Sequence, residues 1–266
     1  MISGAASGIG AATRKRLESD GHRVIGVDLS GSDIDADLST AAGRTLACTR
    51  VAELAPDGID GLVPCAGIAG LTGTDSQLLV SVNYFGAIAL VTGLRDLLAE
   101  RGGSVVLLSS NSVTCQPGWN AAVAAACLDG DEERARELAG SVEAVHLYPS
   151  SKGALAYWAR REGVKPEWAG AGVRINAVAP GLIATPMTEA LREDPELGVF
   201  ADAYPTALSR PGRPEEIADV IAFLLSPQAS LLVGSVVFAD GGTDAMMRPL
   251  APAGMGVDPI TPGEVA

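Results

Sequence analysis

Short apolar runs alternate along this chain with longer helical stretches, and that alternation narrows the possible folds more than any other property of the sequence. Runs of strand length and composition stand at residues 1–3, 23–27, 32–36, 61–65, 104–109, 173–177 and 235–238. Helical patterns lie at 9–20, 40–54, 78–100, 151–165 and 214–225. A strand that returns to a parallel neighbour needs a crossover of about a dozen residues or more, usually a helix. The pattern therefore predicts an α/β fold, a single doubly wound parallel sheet of about seven strands flanked by helices.

With 266 residues, 47% of them hydrophobic, the chain can bury one large core, and no second core is evident. Residues 1–250 are expected to form one domain, and 251–266, with repeated Pro and Gly, an irregular tail. Two segments exceed the minimal frame, an insertion at 116–145 and a loop region at 182–211 carrying Met187, Leu191, Phe200 and Tyr204. Both are placed to overhang an active site. The first strand is short: Ile2 and Ser3 read as the end of a buried strand with only Met1 before them, so either the strand is truncated or the fold tolerates a stub.

Residues 3–10 read Ser-Gly-Ala-Ala-Ser-Gly-Ile-Gly, between a strand end and a helix start. Glycines let a backbone turn tightly and approach a pyrophosphate, whose charge the following helix N-terminus favours. With 32 glycines in the chain this spacing arises by chance roughly 0.4 times, so its position carries more weight than its pattern, and a purely structural turn is the competing reading. Gly4, Ser7, Gly8, Ile9 and Gly10 are the candidate phosphate contacts, which makes the sheet one of Rossmann type. Asp28 ends the second strand, where a carboxylate can accept from ribose hydroxyls and repel a phosphate. No Lys or Arg follows it until Arg44, which favours NAD over NADP; a solvated loop aspartate is the bland alternative. Asp37, ending the next strand, is a weaker candidate for the adenine amino group.

Tyr148 and Lys152 are the most specific pair. The chain has four tyrosines and only three lysines, so a Tyr-xxx-Lys spacing is expected by chance only about 0.05 times. A helix starting at Tyr148, with Pro149 in its first position, would place both on one face. A free phenol ionises near pH ~10, so acid or base work near neutrality needs about 3 to 4 kcal/mol of help. An ammonium about 4 Å away at an effective dielectric of ~20 supplies that much.

Together with Asn83 and Ser110 in order, with Cys65-Ala66-Gly67 and with Pro180-Gly181 followed by Thr185, these residues resemble the short-chain dehydrogenase/reductase family over nearly the whole chain. Residues 81–86 (Ser-Val-Asn-Tyr-Phe-Gly), residues 36–40, the insertion before Tyr148 and residues 240–249 look like its bacterial 3α-hydroxysteroid dehydrogenase/carbonyl reductase branch. Coniferyl-alcohol dehydrogenases are a neighbouring resemblance. The resemblance implies that Tyr148 exchanges a proton with the substrate oxygen, that Ser110 hydrogen-bonds it, that Lys152 lowers the phenol pKa and binds the nicotinamide ribose, and that Asn83 holds a water. It further implies that NAD is bound by the glycine loop, Asp28, Asp37, Leu38, Ala66, Gly67, Tyr148, Lys152, Pro180, Gly181, Ile183 and Thr185. The implied activity is an NAD-dependent interconversion of a secondary alcohol and a ketone on a bulky apolar substrate such as a 3α-hydroxysteroid. An aryl-alcohol dehydrogenase and a non-catalytic nicotinamide sensor are the alternatives.

Several residues keep competing readings. Ser109 and Ser112 compete with Ser110, Asn111 with a loop cap, Asn83 with an ordinary helix polar residue, and Thr185 with a cap for the helix at Pro186. His146 is read as a surface or loop histidine. Pro64-Cys65 replaces the family's common Asn-Asn, and Pro149 beside the tyrosine is unusual.

The net charge of −13 argues against nucleic acid and acidic membranes as partners. Cys48, Cys65, Cys115 and Cys127 form no Cys-x-x-Cys pair and lie far in sequence from His22 and His146, so no metal is expected. No apolar run near ~20 residues and no secretory signal are apparent, so the cytoplasm is the expected compartment. Family relatives form homodimers or homotetramers, often through the helices that here carry Asn83 and Lys152, a surface that the 116–145 insertion competes for.

Overall fold

The computed structural model of the protein describes residues 1–116 and 119–249; the expected tail at 251–266 lies outside the described residues. Seven parallel strands form one sheet in the order β3-β2-β1-β4-β5-β6-β7. They are β1 (Ile2–Ser3), β2 (Gly26–Asp28), β3 (Ile34–Asp35), β4 (Gly61–Pro64), β5 (Ser104–Leu108), β6 (Arg174–Pro180) and β7 (Val236–Ala239). The order reverses between β1 and β4, which opens a crevice at their carboxyl ends.

The helices in chain order are α1 (Gly8–Ser19), α2 (Ala41–Leu54), α3 (Ser76–Val80), α4 (Ala87–Gly93), α5 (Arg95–Arg101), α6 (Ser112–Cys115), α7 (Ala121–Asp129), α8 (Glu132–Ala139), α9 (Ala144–Glu162), α10 (Pro186–Glu193), α11 (Gly198–Asp202), α12 (Pro214–Leu225) and α13 (Thr243–Met247). Side-chain caps start several of them. Thr40 accepts from Gly43 N–H at the head of α2, Asn120 from Val123 N–H at α7, and Asp131 from Arg134 N–H at α8.

The central strands read as continuous apolar runs because both faces are covered. Along β5, Val105 and Leu107 enter one core with Leu62, Ile175, Leu90, Val91 and Leu155, while Val106 and Leu108 enter the other with Ile2, Val63, Ile217 and Ile221. Alternate side chains of a strand point to opposite faces, so this split is the period of two made visible.

Three expectations change. The helix expected at 78–100 begins at Ser76 and is not uniform: α3 runs into a π-helical turn, Ser81–Gly86, before α4, and the chain breaks at Leu94 before α5. The helix expected to open at Tyr148 opens at Ala144, so Pro149 lies inside it. Strand β6 continues to Pro180 rather than ending at Ala177, pairing with both β5 and β7 on the way.

The stretch Ser76–Gly93 is long and apolar enough, at a mean hydropathy of 1.3, to cross a membrane on length and composition alone. Here 56% of it is buried inside the protein, with Leu79, Val80, Tyr84, Leu90 and Val91 in the core.

Candidate active site

The glycine loop leaves β1 at the switch point, and its glycines answer to close backbone approaches. Gly4 has φ +67°, and a Cβ there would stand 2.8 Å from Ala66 N; a Cβ on Gly10 would stand 1.9 Å from Gly4 O. No side chain fits either place. Thr185 faces the loop from across the crevice, its Cγ2 3.5 Å from where a Gly8 Cβ would be. Thr185 also caps α10, accepting from Thr188 N–H at 3.4 Å. Its hydroxyl therefore already has a structural task.

Asp28 lies at the end of β2 and accepts from Ala6 N–H at 2.9 Å and from its own neighbour Leu29 N–H at 2.8 Å. The carboxylate is thus tied to the glycine loop. Arg44, the first basic residue after it, is buried and turned away: it donates to Leu38 O, Ser39 O and Ser81 O and pairs with Glu132 at 2.6 Å. No cation from that stretch is left to meet a ribose phosphate. Asp37 accepts from Ser39 N–H at 2.9 Å, and the Ser39 hydroxyl, then this backbone bond, and last the Arg44 charge hold its pKa below the usual carboxylate range. Leu38 is buried beside it. A cradle closed to side chains, next to a carboxylate and without a free cation, fits NAD and disfavours a 2′-phosphate.

At the ends of β5 and β6 the remaining candidates gather. Asn83 sits in the π-helical turn, fully buried, and exchanges two hydrogen bonds with the backbone of Ile68: Oδ1 accepts from Ile68 N–H at 2.8 Å, and Nδ2 donates to Ile68 O at 3.0 Å. A Cβ on Gly67 would lie 3.0 Å from Asn83 Oδ1 and 3.6 Å from Lys152 Nζ, so Ala66-Gly67, Asn83 and Lys152 share one corner. Lys152 is buried on α9 and donates to Leu108 O at 2.9 Å; Nζ stands 5.7 Å from the centre of the Tyr148 ring.

The three serines separate cleanly. Ser109 donates its hydroxyl to Lys152 O at 2.9 Å and so anchors α9 to β5. Ser110 accepts from Ser112 N–H at 3.1 Å, and its hydroxyl lies near the Tyr148 phenol. Ser112 Oγ is buried without a partner among the described residues. Asn111 is no simple loop cap: its Oδ1 accepts from Tyr204 OH at 2.6 Å, and its amide N–H donates to Pro180 O at 2.9 Å. Gly181 is pressed against Asp240, whose Cα would stand 2.8 Å from a Cβ there, and Ile183 is buried and bridges to Gly212. His146 is exposed on α9, in a helix rather than a loop.

Burial moves the titrating groups. It lowers the Lys152 pKa from 10.5 to about 8, and it raises that of Tyr148, with the Ser110 hydrogen bond opposing. The expected lowering of the phenol by Lys152 is therefore not supplied by these side chains alone. The ammonium stands over the ring and donates to the Leu108 carbonyl, and burial of the phenol sets the direction of its shift. Cys65, in the same pocket, is pushed up to about 12 by burial and is an inert thiol there.

Two further participants stand in this corner, the Leu108 carbonyl and Gly70. The Leu108 carbonyl carries no side-chain signal. Gly70 did carry one, as a second glycine three residues after Gly67: a Cβ on it would stand 2.4 Å from Ala144 O and 3.0 Å from Tyr148 Cβ. A cavity of about 500 Å³ between residues 182–212, α12 and β7 touches none of Asn83, Ser110, Tyr148 and Lys152. Among the described residues no cluster of His, Cys, Asp or Glu is built to hold a metal ion.

Residues 1–126 match the short chain dehydrogenase family model, and residues 135–244 match that described as enoyl-(acyl carrier protein) reductase. The chain is 40% identical over 94% of its length to a 3-alpha-hydroxysteroid dehydrogenase/carbonyl reductase of Comamonas testosteroni, and covers 97% of that protein. The chain belongs to the short-chain dehydrogenase/reductase family. A coniferyl-alcohol dehydrogenase of a Pseudomonas species is 31% identical over 91% of this chain and 94% of its own. Among solved structures, the 3-alpha-hydroxysteroid dehydrogenase of Pseudomonas sp. B-0831 complexed with NADH superposes with a TM-score of 0.89 at 45% identity, over 94% of this chain and 98% of that one. Family membership and the Asp28 pocket make this short-chain dehydrogenase/reductase an NAD-dependent oxidoreductase.

Proposed function

We propose that the protein interconverts a secondary alcohol and a ketone on a bulky apolar substrate of the 3α-hydroxysteroid class. The observation that carries this reading is the convergence of Tyr148 and Ser110 beyond the end of β5, with Lys152 beside the phenol ring and the Asp28 pocket on the same crevice. Bound in the Asp28 pocket, NAD would supply the hydride acceptor for oxidation and, in its reduced form, the hydride donor for reduction. Tyr148 gives its hydroxyl proton to the carbonyl oxygen in reduction and takes it back from the alcohol in oxidation, while Ser110 holds that oxygen by a second hydrogen bond. A phenol ionises near pH ~10 and so is protonated at neutral pH, ready for the reductive direction. Lys152 would hold the nicotinamide ribose, and Asn83 fixes the Ile68 turn beside Lys152. The glycine loop, Asp37, Leu38, Ala66, Gly67, Pro180, Gly181, Ile183 and Thr185 line the rest of the NAD pocket. Residues 182–211 supply apolar surface for the substrate, with Val199 and Phe200 about two-thirds exposed.

Tyr148→Phe is expected to lower kcat by about 10²- to 10⁴-fold while NADH affinity, read by fluorescence titration, stays within a few-fold. Retained turnover would sink the mechanism. Following NADH absorbance over 3α-hydroxysteroids, aryl alcohols and small ketones separates the substrate classes, and fastest turnover of an aryl alcohol would displace the steroid reading.

The same proposal places the protein in the cytoplasm as a homodimer or homotetramer. The insertion helices α7 and α8 pack on α9 and α3, the face that pairing through Asn83 and Lys152 would need. Assembly then falls to the α12–β7 side, where Phe223 is half exposed and Leu231 almost wholly so. Light scattering of Phe223→Glu/Leu231→Glu should read a monomer where the parent reads an oligomer; a monomeric parent contradicts it.

A further inference from the structure

Pro149 follows Tyr148 directly and lies inside α9, where proline withdraws the amide that the carbonyl four residues back requires. That carbonyl belongs to Val145. Its hydrogen bond comes instead from Gln116, whose Nε2 donates to Val145 O at 2.6 Å from the start of the insertion. Gln116 stands directly behind α6, and α6 follows Ser110 after a single residue. The bond therefore joins the segment that carries the serine to the helical turn that carries the tyrosine.

Neighbouring contacts grip the same turn. Asn120 N–H donates to Ser150 Oγ at 2.7 Å, and Ser150 Oγ donates to His146 O at 2.8 Å. On the opposite side the backbone at Gly70 lies against Ala144 O and Tyr148 Cβ. Helix α9 is thus held at Tyr148 from two directions, and Gln116 replaces the rung of its own ladder that is missing. Small displacements of a reacting group cost rate steeply, so the register of this turn matters to chemistry as well as to folding.

We propose that Gln116 is a positioning residue: by donating to the Val145 carbonyl that Pro149 leaves without an amide, it holds the Tyr148 turn of α9 in register with Ser110. The proposal rests on the reading of Tyr148 as the proton-transfer group. It makes the proline tolerable and Gln116 necessary only because the proline is there.

Gln116→Glu keeps the size of the side chain and removes the donor; Gln116→Ala removes both. Each is expected to lower kcat with NAD and a 3α-hydroxysteroid about tenfold, equivalent to about 1.4 kcal/mol, with KM for NAD within about twofold. The Tyr148 limb of the pH–rate profile should move further upward, because the Ser110 hydroxyl that partly opposes the burial-driven rise of the phenol pKa is displaced from it. Pro149→Ala returns an amide to the helix, so Gln116→Ala/Pro149→Ala should match Pro149→Ala within about twofold. Full kcat in Gln116→Ala, or the same tenfold loss in the Pro149→Ala background, overturns the proposal. If Gln116→Ala does not fold, the two proline-free variants still decide the question. Tyr148→Phe is the separate control: activity there removes the tyrosine's role, whereas an inactive Tyr148→Phe beside a fully active Gln116→Ala removes only that of Gln116.

Discussion

The two segments that exceed the minimal sheet-and-helix frame, 116–145 and 182–211, look alike in the sequence, yet they end in opposite conditions. The insertion is spent on packing. Val123, Ala124, Cys127, Ala135 and Ala139 are buried in the main core, and Glu132 reaches the buried Arg44. The 182–211 region leaves Met187, Val199, Phe200 and Leu208 open to solvent around short helices. Buried apolar contacts make a segment part of the global fold; their absence leaves it free to adapt to a ligand. The comparison teaches that an addition beside an active site serves either as scaffold or as contact surface, and that burial tells which.

Two buried cations carry the same lesson. Arg44 gives its protons to three carbonyls and a carboxylate, and the pairing spans α2, the π-helical turn and the insertion. Among the described residues, Lys152 has the Leu108 carbonyl alone as a hydrogen-bond partner, and its pKa falls to about 8. A structural charge is saturated by its partners. A charge intended for a ligand is left partly unsatisfied, and desolvation shows in its pKa.

The sharpest way to break the comparison is at Glu132. Glu132→Ala leaves Arg44 buried without its counter-charge, and the loss expected in urea unfolding is about 3 kcal/mol, the lower end for a broken buried pair because Glu132 keeps part of its surface in solvent. The activity of the remaining folded enzyme should change less than about twofold. A variant as stable as the parent would mean that the insertion is not scaffold. A smaller effect of the opposite kind is expected at Phe200. Phe200→Ala should leave the unfolding midpoint within about 0.5 kcal/mol of the parent, and raise KM for a 3α-hydroxysteroid about 3- to 10-fold, as for about 1 kcal/mol of lost apolar contact. An unchanged KM with lost stability would reverse the assignment of the two segments.

Much of the site was legible because its chemistry resides in side chains at characteristic places. Ser110 and the glycine loop lie just beyond the ends of strands that hydrophobic pattern alone locates, and Asn83, Tyr148 and Lys152 lie on or beside helical stretches that it also outlines. What was not legible depends on partners distant in the chain. Pro149 reads as a first helical residue, because only a donor from position 116 lets it stand within the helix. The π-helical turn at 81–86 is invisible to periodicity, since six residues are too few to distinguish it from an α-helix. Ser109 and Ser110 are indistinguishable until strand β5 and helix α9 are brought together, one hydroxyl turned to the Lys152 carbonyl and the other to the phenol.

The layer architecture and the candidate reacting side chains could be read from the sequence alone, whereas the position of the switch point came from the strand order. Period-two and helical patterns, and rare residues at fixed spacing, are local properties that survive without a partner. Only the tertiary structure decided how those side chains are charged and held. Burial raises the phenol and lowers the lysine, the Leu108 carbonyl turns the ammonium, and Gln116 supplies the hydrogen bond that Pro149 cannot. Desolvation and long-range hydrogen bonds arise from residues far apart in the chain, and they exist only once the sheet and helices have closed around them.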